Sequence, residues 1–481
     1  MTNSVTSTTH LPAHEVKALN DRTRGPVLVP GDGGFDEERA GFQTAYRHRP
    51  AVVVGAESAE DVRAAVRFAA AYGLPVAVQA TGHGLSVAAD GGVLISTRRM
   101  DGVRIDAGAR TAWIGAGARW EQVVEAAAPY GLAPLSGSAP GVGAVSYTLG
   151  GGIGLLARQF GYAADQLRCA EIVTADGRLR QVDAAGDPEL LWALRGAGHN
   201  FGVVTGIAVG LVPVGSVYGG GMYFDGGRAD DVLRAYADWT ATAPDEVTSS
   251  VGLIPYPDLP QLPGPLRGRY VAHVRIAFNG TPDDGERLVA PLRAVGPRLI
   301  DDLRELPYSE GASIYQDPPF PHAYSGNNTM VRALDPAALR AVLELTGPGA
   351  PLMHVVDLRQ LGGALSREPA GASAVGNREA RYILRVVSML EGPGATEAAR
   401  EVHDLVTEAL AGAATGSSLP FLYGDGERAT EAQTRTGYSE ETYRRLAALK
   451  TALDPANLFR YNRNILPVTP VAHHKEASSH I

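Results

Sequence analysis

Among the residues of this chain that could do chemistry, His83 has the most specific setting: it stands between two glycines in Thr81-Gly82-His83-Gly84-Leu85-Ser86. The stretch follows an apolar, β-type run, Leu74-Pro75-Val76-Ala77-Val78, and so reads as a loop at the end of a strand. Glycines in such a loop let successive backbone N–H groups turn toward an anion, here a pyrophosphate. A second glycine-rich stretch, Gly137-Ser138-Ala139-Pro140-Gly141-Val142-Gly143 running on to Gly150-Gly151-Gly152-Ile153-Gly154, reads as the facing wall. Together they suggest a cradle for a flavin dinucleotide, with an imidazole held among phosphate-binding amides. Gly152 to Ala157 also satisfies the G-x-G-x-x-A pattern of nicotinamide sites. That pattern needs a hydrophobic strand directly before it, and Gly141 to Leu149 is not one. His199 and His322 have no metal-ligand spacing with acids or other histidines, so no metal is expected.

Four segments carry a family resemblance: the Thr81–Ser86 loop, Gly137–Gly143, Gly196–Thr205 (with Gly198, Asn200, Phe201, Gly202 and Val203) and Asp454–Ile465 (with Tyr461 and Asn464). Together they resemble the FAD-linked oxidases of the berberine-bridge-enzyme-like group, within the vanillyl-alcohol-oxidase superfamily, over most of residues 45 to 215 and 425 to 467. The resemblance implies FAD bound by these glycine walls and joined through a ring nitrogen of His83 to the flavin 8α-methyl. Many members carry a second bond from a cysteine where this chain has Ala139, so attachment through His83 only is implied. Tyr147 stands where relatives often have a histidine near the ribityl chain and the pyrimidine edge of the flavin, and a phenol there can donate a hydrogen bond. Tyr461 and Asn464 match a motif lying by the flavin, here read as a returning strand. The implied reaction is hydride transfer from a secondary metabolite to FAD with O2 as the second substrate, as in bacterial secondary metabolism such as antibiotic biosynthesis. The alternatives are a dehydrogenase using another acceptor, or a flavin or ligand carrier without catalysis.

One departure bears on the substrate. Sugar-oxidising relatives have a tyrosine general base around Phe421, and phenylalanine cannot act as a base. This turns the expectation toward an amine, an activated alcohol or a phenolic metabolite. A base is sought instead on His354-Val355-Val356-Asp357-Leu358-Arg359-Gln360, which resembles a strand that relatives run across the substrate face of the flavin. Period-2 alternation puts Val355, Asp357 and Arg359 on one side and His354, Val356, Leu358 and Gln360 on the other. Asp357, with a pKa raised by an apolar flavin face, is the first candidate base and Tyr423 the second. Asp357 and Arg359 could also be a structural ion pair at the sheet edge.

The elements that would position these residues give an α+β fold: a PCMH-type FAD-binding part, and a substrate part with an antiparallel sheet backed by helices on one face. Val52–Val54, the Ser58-capped helix ending at Gly73, and the run before Thr81 make a β-α-β unit delivering the His83 loop. Strands over 93–96, 103–106 and 110–114, a helix from Trp120, a hairpin across Ala175–Arg178, a helix over 188–194 and a strand over 203–212 follow. Beyond 215, strands over 268–278, 351–361 and 380–390 alternate with amphipathic helices at 228–243, 283–294, 335–347 and 395–412. The divisions expected are a lead-in over 1–40 with one helical piece, an FAD-binding domain over 41–214, a substrate domain over 215–424, a return to the FAD-binding domain over 425–467 and a loose tail over 468–481.

Composition fits a soluble enzyme acting on a small molecule. The chain has 481 residues, 20% charged and 45% hydrophobic, and its net charge of −9 argues against nucleic acid as partner. The polar opening has no signal-like apolar core, no run is long enough to span a membrane, and a single cysteine, Cys169, fits a reducing, cytoplasmic setting. Oligomeric state is not readable from the sequence.

Overall fold

The computed structural model describes residues 11–468, so the expected tail lies, but for Val468, outside the described residues. Three sheets organise them. The first has four strands in the order Val27–Leu28, Val52–Gly55, Val93–Ser96, Val76–Gln79, parallel except for its first pair. Its β-α-β crossover is the helix Ala59–Ala71, whose Ser58 cap accepts from the Asp61 amide at 3.3 Å. The second is an antiparallel sheet of five strands running Val103–Asp106, Thr111–Gly115, Val203–Gly210, Leu167–Val173, Leu179–Asp183.

The third sheet is antiparallel and has nine strands drawn from residues 216 to 416. Its centre is Tyr270–Phe278, Val247–Pro255, His354–Gln360 and Tyr382–Met389, side by side in that order. Alternation gives each strand two unlike sides. Val274, Val251, Val356, Leu358, Leu384 and Val386 join a core with Leu233 and Tyr236 of helix Ala229–Thr240, Val342 of helix Pro336–Thr346 and Val406 of helix Ala395–Leu410. Each large aliphatic side chain fully buried there contributes about 1.5–3 kcal/mol. The helices keep to that face, which leaves the other for polar groups. Among the described residues no helix is long and apolar enough to cross a membrane.

Two expectations need correction. The lead-in is structured: besides helix Ala13–Asn20 it supplies the edge strand Val27–Leu28 and helix Phe35–Arg39. The return over 459–467 is irregular backbone and not a strand. Its backbone groups are met by side chains instead of a ladder: Ile465 N donates to Asn200 Oδ1 at 3.0 Å, and Leu458 N and Phe459 N donate to Asp454 at 2.7 and 3.0 Å.

A buried ion pair fastens that return. Lys450 and Asp454 are both fully buried and 2.8 Å apart, one helical turn from each other at the end of helix Glu440–Leu453. Lys450 Nζ also donates to the carbonyls of Asn200 at 2.7 Å and Phe459 at 3.0 Å. Removing the ammonium strands a buried carboxylate and two carbonyls, so Lys450→Met is expected to cost about 3–5 kcal/mol of stability. Urea unfolding of the variant measures this, and a loss below about 1 kcal/mol would mean that water replaces the amine.

Candidate active site

A cavity of about 400 Å³ opens between the polar face of the nine-stranded sheet and four loop segments: 80–87, 137–153, 196–200 and 461–463. The first loop leaves strand Val76–Gln79 and is clasped by the lead-in: Phe42 N donates to Thr81 O at 2.9 Å and Gln43 N to Gly82 O at 3.1 Å. Gly82 has φ +73°, and a Cβ there would come 2.6 Å from the Gly41 Cα, so only glycine fits this crossing. Phe42 then lies flat on the His83 ring, centroids 3.8 Å apart and planes 14° from parallel. His83 Nδ1 is 2.9 Å from Thr81 Oγ1, and Tyr324 donates to the His83 carbonyl at 2.6 Å. Burial, with Arg119 and His322 adding to it, holds the imidazole at about 4. It is therefore neutral near pH 7, with a ring lone pair available for a bond.

The second wall turns on Tyr147, in helix Ala144–Leu149. Its ring meets Trp120 edge-on at 5.4 Å and 88°. A Cβ on Gly137 would press on that ring at 2.9 Å, and one on Gly152 would overlap it. The Tyr147 hydroxyl is buried without a partner, and burial pushes the phenol well above its ordinary range. This orphan donor and the open space in front of Gly84 and Gly198, where a Cβ would meet nothing within 4 Å, suit a dinucleotide. FAD would be held there by Thr81 to Ser86, Gly137, Ser138, Ala139, Val142, Tyr147, Gly150, Gly198, Asn200 and Tyr461, all of which line the cavity.

Other expected contacts do not reach it. Gly141 and Gly143 back the His83 and Thr81 side chains, each with its Cβ position 3.6 Å from them. Gly151 packs beside Val375 and Tyr162, Gly152 behind Tyr147, Gly154 against the Ser136 carbonyl, and Gly202 against Val173. Phe201 and Val203 are core residues. Asn464 is not among the lining residues, where its neighbours Asn462 and Arg463 take its place. The glycines behind the wall serve close packing, which a glycine pattern alone does not distinguish from phosphate contact.

On the sheet face, Val355, Asp357 and Arg359 point into the cavity together, as alternation requires. Cross-strand register adds two arginines that the sequence reading missed. Asp357 pairs with Arg385 on one side and Gly252 on the other, and Ser250 sits between Arg359 and Arg275. Asp357 thus accepts from Arg359 Nε at 2.5 Å, Arg385 at 3.0 Å and Arg275 at 3.1 Å. The small residues of the middle strand make room, since a Cβ on Gly252 would lie 2.6 Å from the Arg275 guanidinium. Applying the same alternation to 268–278 and 380–390 would have found both arginines.

The expected role of Asp357 is overturned by these partners. Burial pushes its carboxyl up, but Arg359, Arg385 and Arg275 outweigh it and hold the group at about 2. A carboxylate that stays ionised to such low pH is a poor base near neutrality. Nor is the pair at a sheet edge, because strand His354–Gln360 lies inside the sheet. Tyr423, the second candidate, lines the cavity and accepts from Arg385 at 3.1 Å. Phe421 lies under the Arg385 guanidinium, 4.0 Å from its ring centre.

The matches to known proteins bear on the fold and on the cofactor. The FAD binding domain family matches residues 50–183, and the family described as berberine and berberine like matches residues 428–466. The chain thus resembles the berberine-bridge-enzyme-like FAD-linked oxidoreductases in both of these stretches. It is 29% identical to (R)-6-hydroxynicotine oxidase of Paenarthrobacter nicotinovorans, over 92% of this chain and 97% of that protein. The crystal structure of 6-hydroxy-D-nicotine oxidase from Arthrobacter nicotinovorans superposes with a TM-score of 0.78 at 26% identity, covering 92% of this chain and 98% of that one. Xylooligosaccharide oxidase from Myceliophthora thermophila, at 21% identity over 95% of this chain and all of that one, has a TM-score of 0.82 and shares the fold. The architecture is therefore the α+β, PCMH-type FAD-binding fold with its antiparallel sheets. The protein is an FAD-linked enzyme.

Asp357→Asn tests the reassignment. It is expected to cost about 3–5 kcal/mol of stability by leaving three buried guanidiniums without a carboxylate. The pH profile of kcat/KM should keep the limbs of the parent protein between pH 5 and 9; loss of the acidic limb would restore Asp357 as the base.

Proposed function

We propose that this chain is an oxidase that takes a hydride from a small or mid-sized secondary metabolite, an alcohol, an amine or a phenolic or polyketide compound, with FAD bonded to His83 alone. The observation that carries this reading is the neutral, stacked imidazole of His83 in the wall of a cavity whose other wall holds Tyr423 and the arginines. Residues 41–214 and 425–467 would hold the cofactor, and 215–424 the substrate. Bound FAD would supply the hydride acceptor and pass two electrons to O2, giving hydrogen peroxide. A relative named as an oxidase, aligned over nearly its whole length, supports O2 as the second substrate.

The chain's own contribution is orientation and proton handling. Phe42 and Thr81 fix the plane of the His83 ring, so a bond from it has one direction. Ala139, with only a methyl group, offers no second attachment. The unpartnered Tyr147 hydroxyl can donate into the cavity. Burial pushes the phenols of Tyr147 and Tyr324 well up, which makes both poor bases and leaves Tyr423 as our candidate. Its oxygen, fixed by the Arg385 donor, can exchange a proton with a substrate hydroxyl.

The attachment is checked by acid precipitation and tryptic mapping: the yellow colour should stay with the protein, and the peptide containing His83 should carry the mass of FAD. Release of free flavin by acid would refute a covalent bond. For the reaction, stopped-flow mixing of substrate-reduced protein with air-saturated buffer should restore the oxidised spectrum within seconds. A flavin that stays reduced in air yet is reoxidised at once by an artificial dye would make the protein a dehydrogenase. Tyr423→Phe should slow anaerobic flavin reduction by about 10²–10⁴-fold with flavin content unchanged; an unchanged rate would remove Tyr423 as the base.

A further inference from the structure

We infer that the substrate carries a carboxylate or a comparably acidic oxygen on a planar, aromatic framework, and that Arg275, Arg359 and Arg385 select it. This rests on the reading of the cavity as the substrate side of a flavin site. The chain as a whole has a net charge of −9, yet among the described residues the cavity is lined by four arginines against two aspartates. Arg463, away from Asp357, donates to the Gln433 side chain and the Leu422 carbonyl, with its Nε buried and unpartnered. Asp317 is exposed at the mouth and accepts from Ser138 at 2.6 Å. What remains inside is one carboxylate among three guanidiniums, with side-chain exposures of 7% for Asp357, 5% for Arg275, 10% for Arg359 and 12% for Arg385.

One carboxylate cannot satisfy three such groups. Each guanidinium presents five N–H donors and a carboxylate about four acceptor sites. Besides Asp357, the named acceptors are His273 Nδ1 for Arg275, the Ile153 carbonyl for Arg359 and Tyr423 for Arg385. Arg385 Nε is buried with no partner. A cluster with this surplus of positive charge is costly to bury unless an anion completes it. Burial of the Arg faces fixes what kind of anion. Tyr315 lies 4.6 Å from the Arg275 guanidinium and 4.9 Å from that of Arg359, while Phe421 covers Arg385 at 4.0 Å. With their faces stacked on rings, the arginines can recognise a ligand only through their edges, in the forked manner that matches a carboxylate. Tyr423, half-buried in the cavity wall beside Phe421, gives an aromatic framework a ring to pack against. A protonated amine would meet the wrong field here, which narrows the substrate class set out above.

The test uses the flavin-loaded protein and two probes of one shape, benzoate and neutral benzamide, titrated without O2 by calorimetry and by the flavin difference spectrum. Benzoate should bind about tenfold or more tightly than benzamide, as expected for charge-assisted hydrogen bonds. Arg385→Met should erase most of that preference, benzoate losing far more affinity than benzamide, and Arg385→Lys should restore part of it. Equal affinities in the parent protein, including no measurable binding of either probe, would overturn the inference without needing any variant. A preference that survives Arg385→Met and, separately, Arg275→Met would also overturn it, because the cluster would then be structural. Since no turnover is measured, an anion preference in a protein that fails to react with O2 would leave this inference standing and reject only the oxidase reading.

Discussion

Asp357 is the constraint around which the cavity face is built. Three guanidiniums converge on one carboxylate, and like charges would otherwise drive those strands' side chains apart. The arrangement needs a sheet in strict register, with Asp357 beside Arg385 on one neighbour and Gly252 on the other, and with Ser250 small enough to let Arg359 and Arg275 lie across it. Register of that strictness is set on the opposite face, where Val356, Leu358, Leu384 and Val251 are locked against the helices; slipping one residue would exchange the apolar and charged sides. The helices therefore stabilise the fold and, through the register, aim the arginines.

Much of this was legible from local pattern. Val93–Ser96 and Val103–Asp106 were read with their observed limits, the Ser58 cap was read from residue type, and Asp357 and Arg359 were placed on one side of their strand by alternation. These features depend on neighbours within a few residues. What stayed hidden depends on partners far along the chain. Alternation tells which side Asp357 takes but not that Arg385 and Arg275 lie opposite, so the sign of its pKa shift was read backwards. Phe42 belongs to a segment with no helical or strand signal, and its stacking on His83 exists only because its backbone crosses Gly82. The glycines after Gly150 share one sequence texture but serve two purposes, and only the packing around Tyr147 separates them.

Buried cations on backbone carbonyls hold the irregular walls in place. Arg158, at the end of the second glycine stretch, donates to the carbonyls of Val247 at 2.8 Å, Ala243 at 3.1 Å and Pro244 at 3.3 Å, and to that of Leu361. Arg195 does the same for Leu167 and Ala372. Loops lack the ladders that satisfy carbonyls in sheets, and a buried guanidinium supplies several donors at once. A wall fixed in this way can be both non-repetitive and rigid, as a shaped cavity requires.

The return of residues 461–463 to the cavity sets an order of events. Synthesis runs from the amino end, so the His83 loop, the glycine walls and the arginine face all leave the ribosome before Tyr461, Asn462 and Arg463 exist. Lys450 and Asn200, which seat that last segment, sit on opposite sides of a gap of 250 residues in sequence. Until the gap closes, the cradle lacks one side and the Asn200 carbonyl lacks its ammonium donor. Closure of the cradle in this protein therefore waits on residues 450 to 463, the last of its walls to be made.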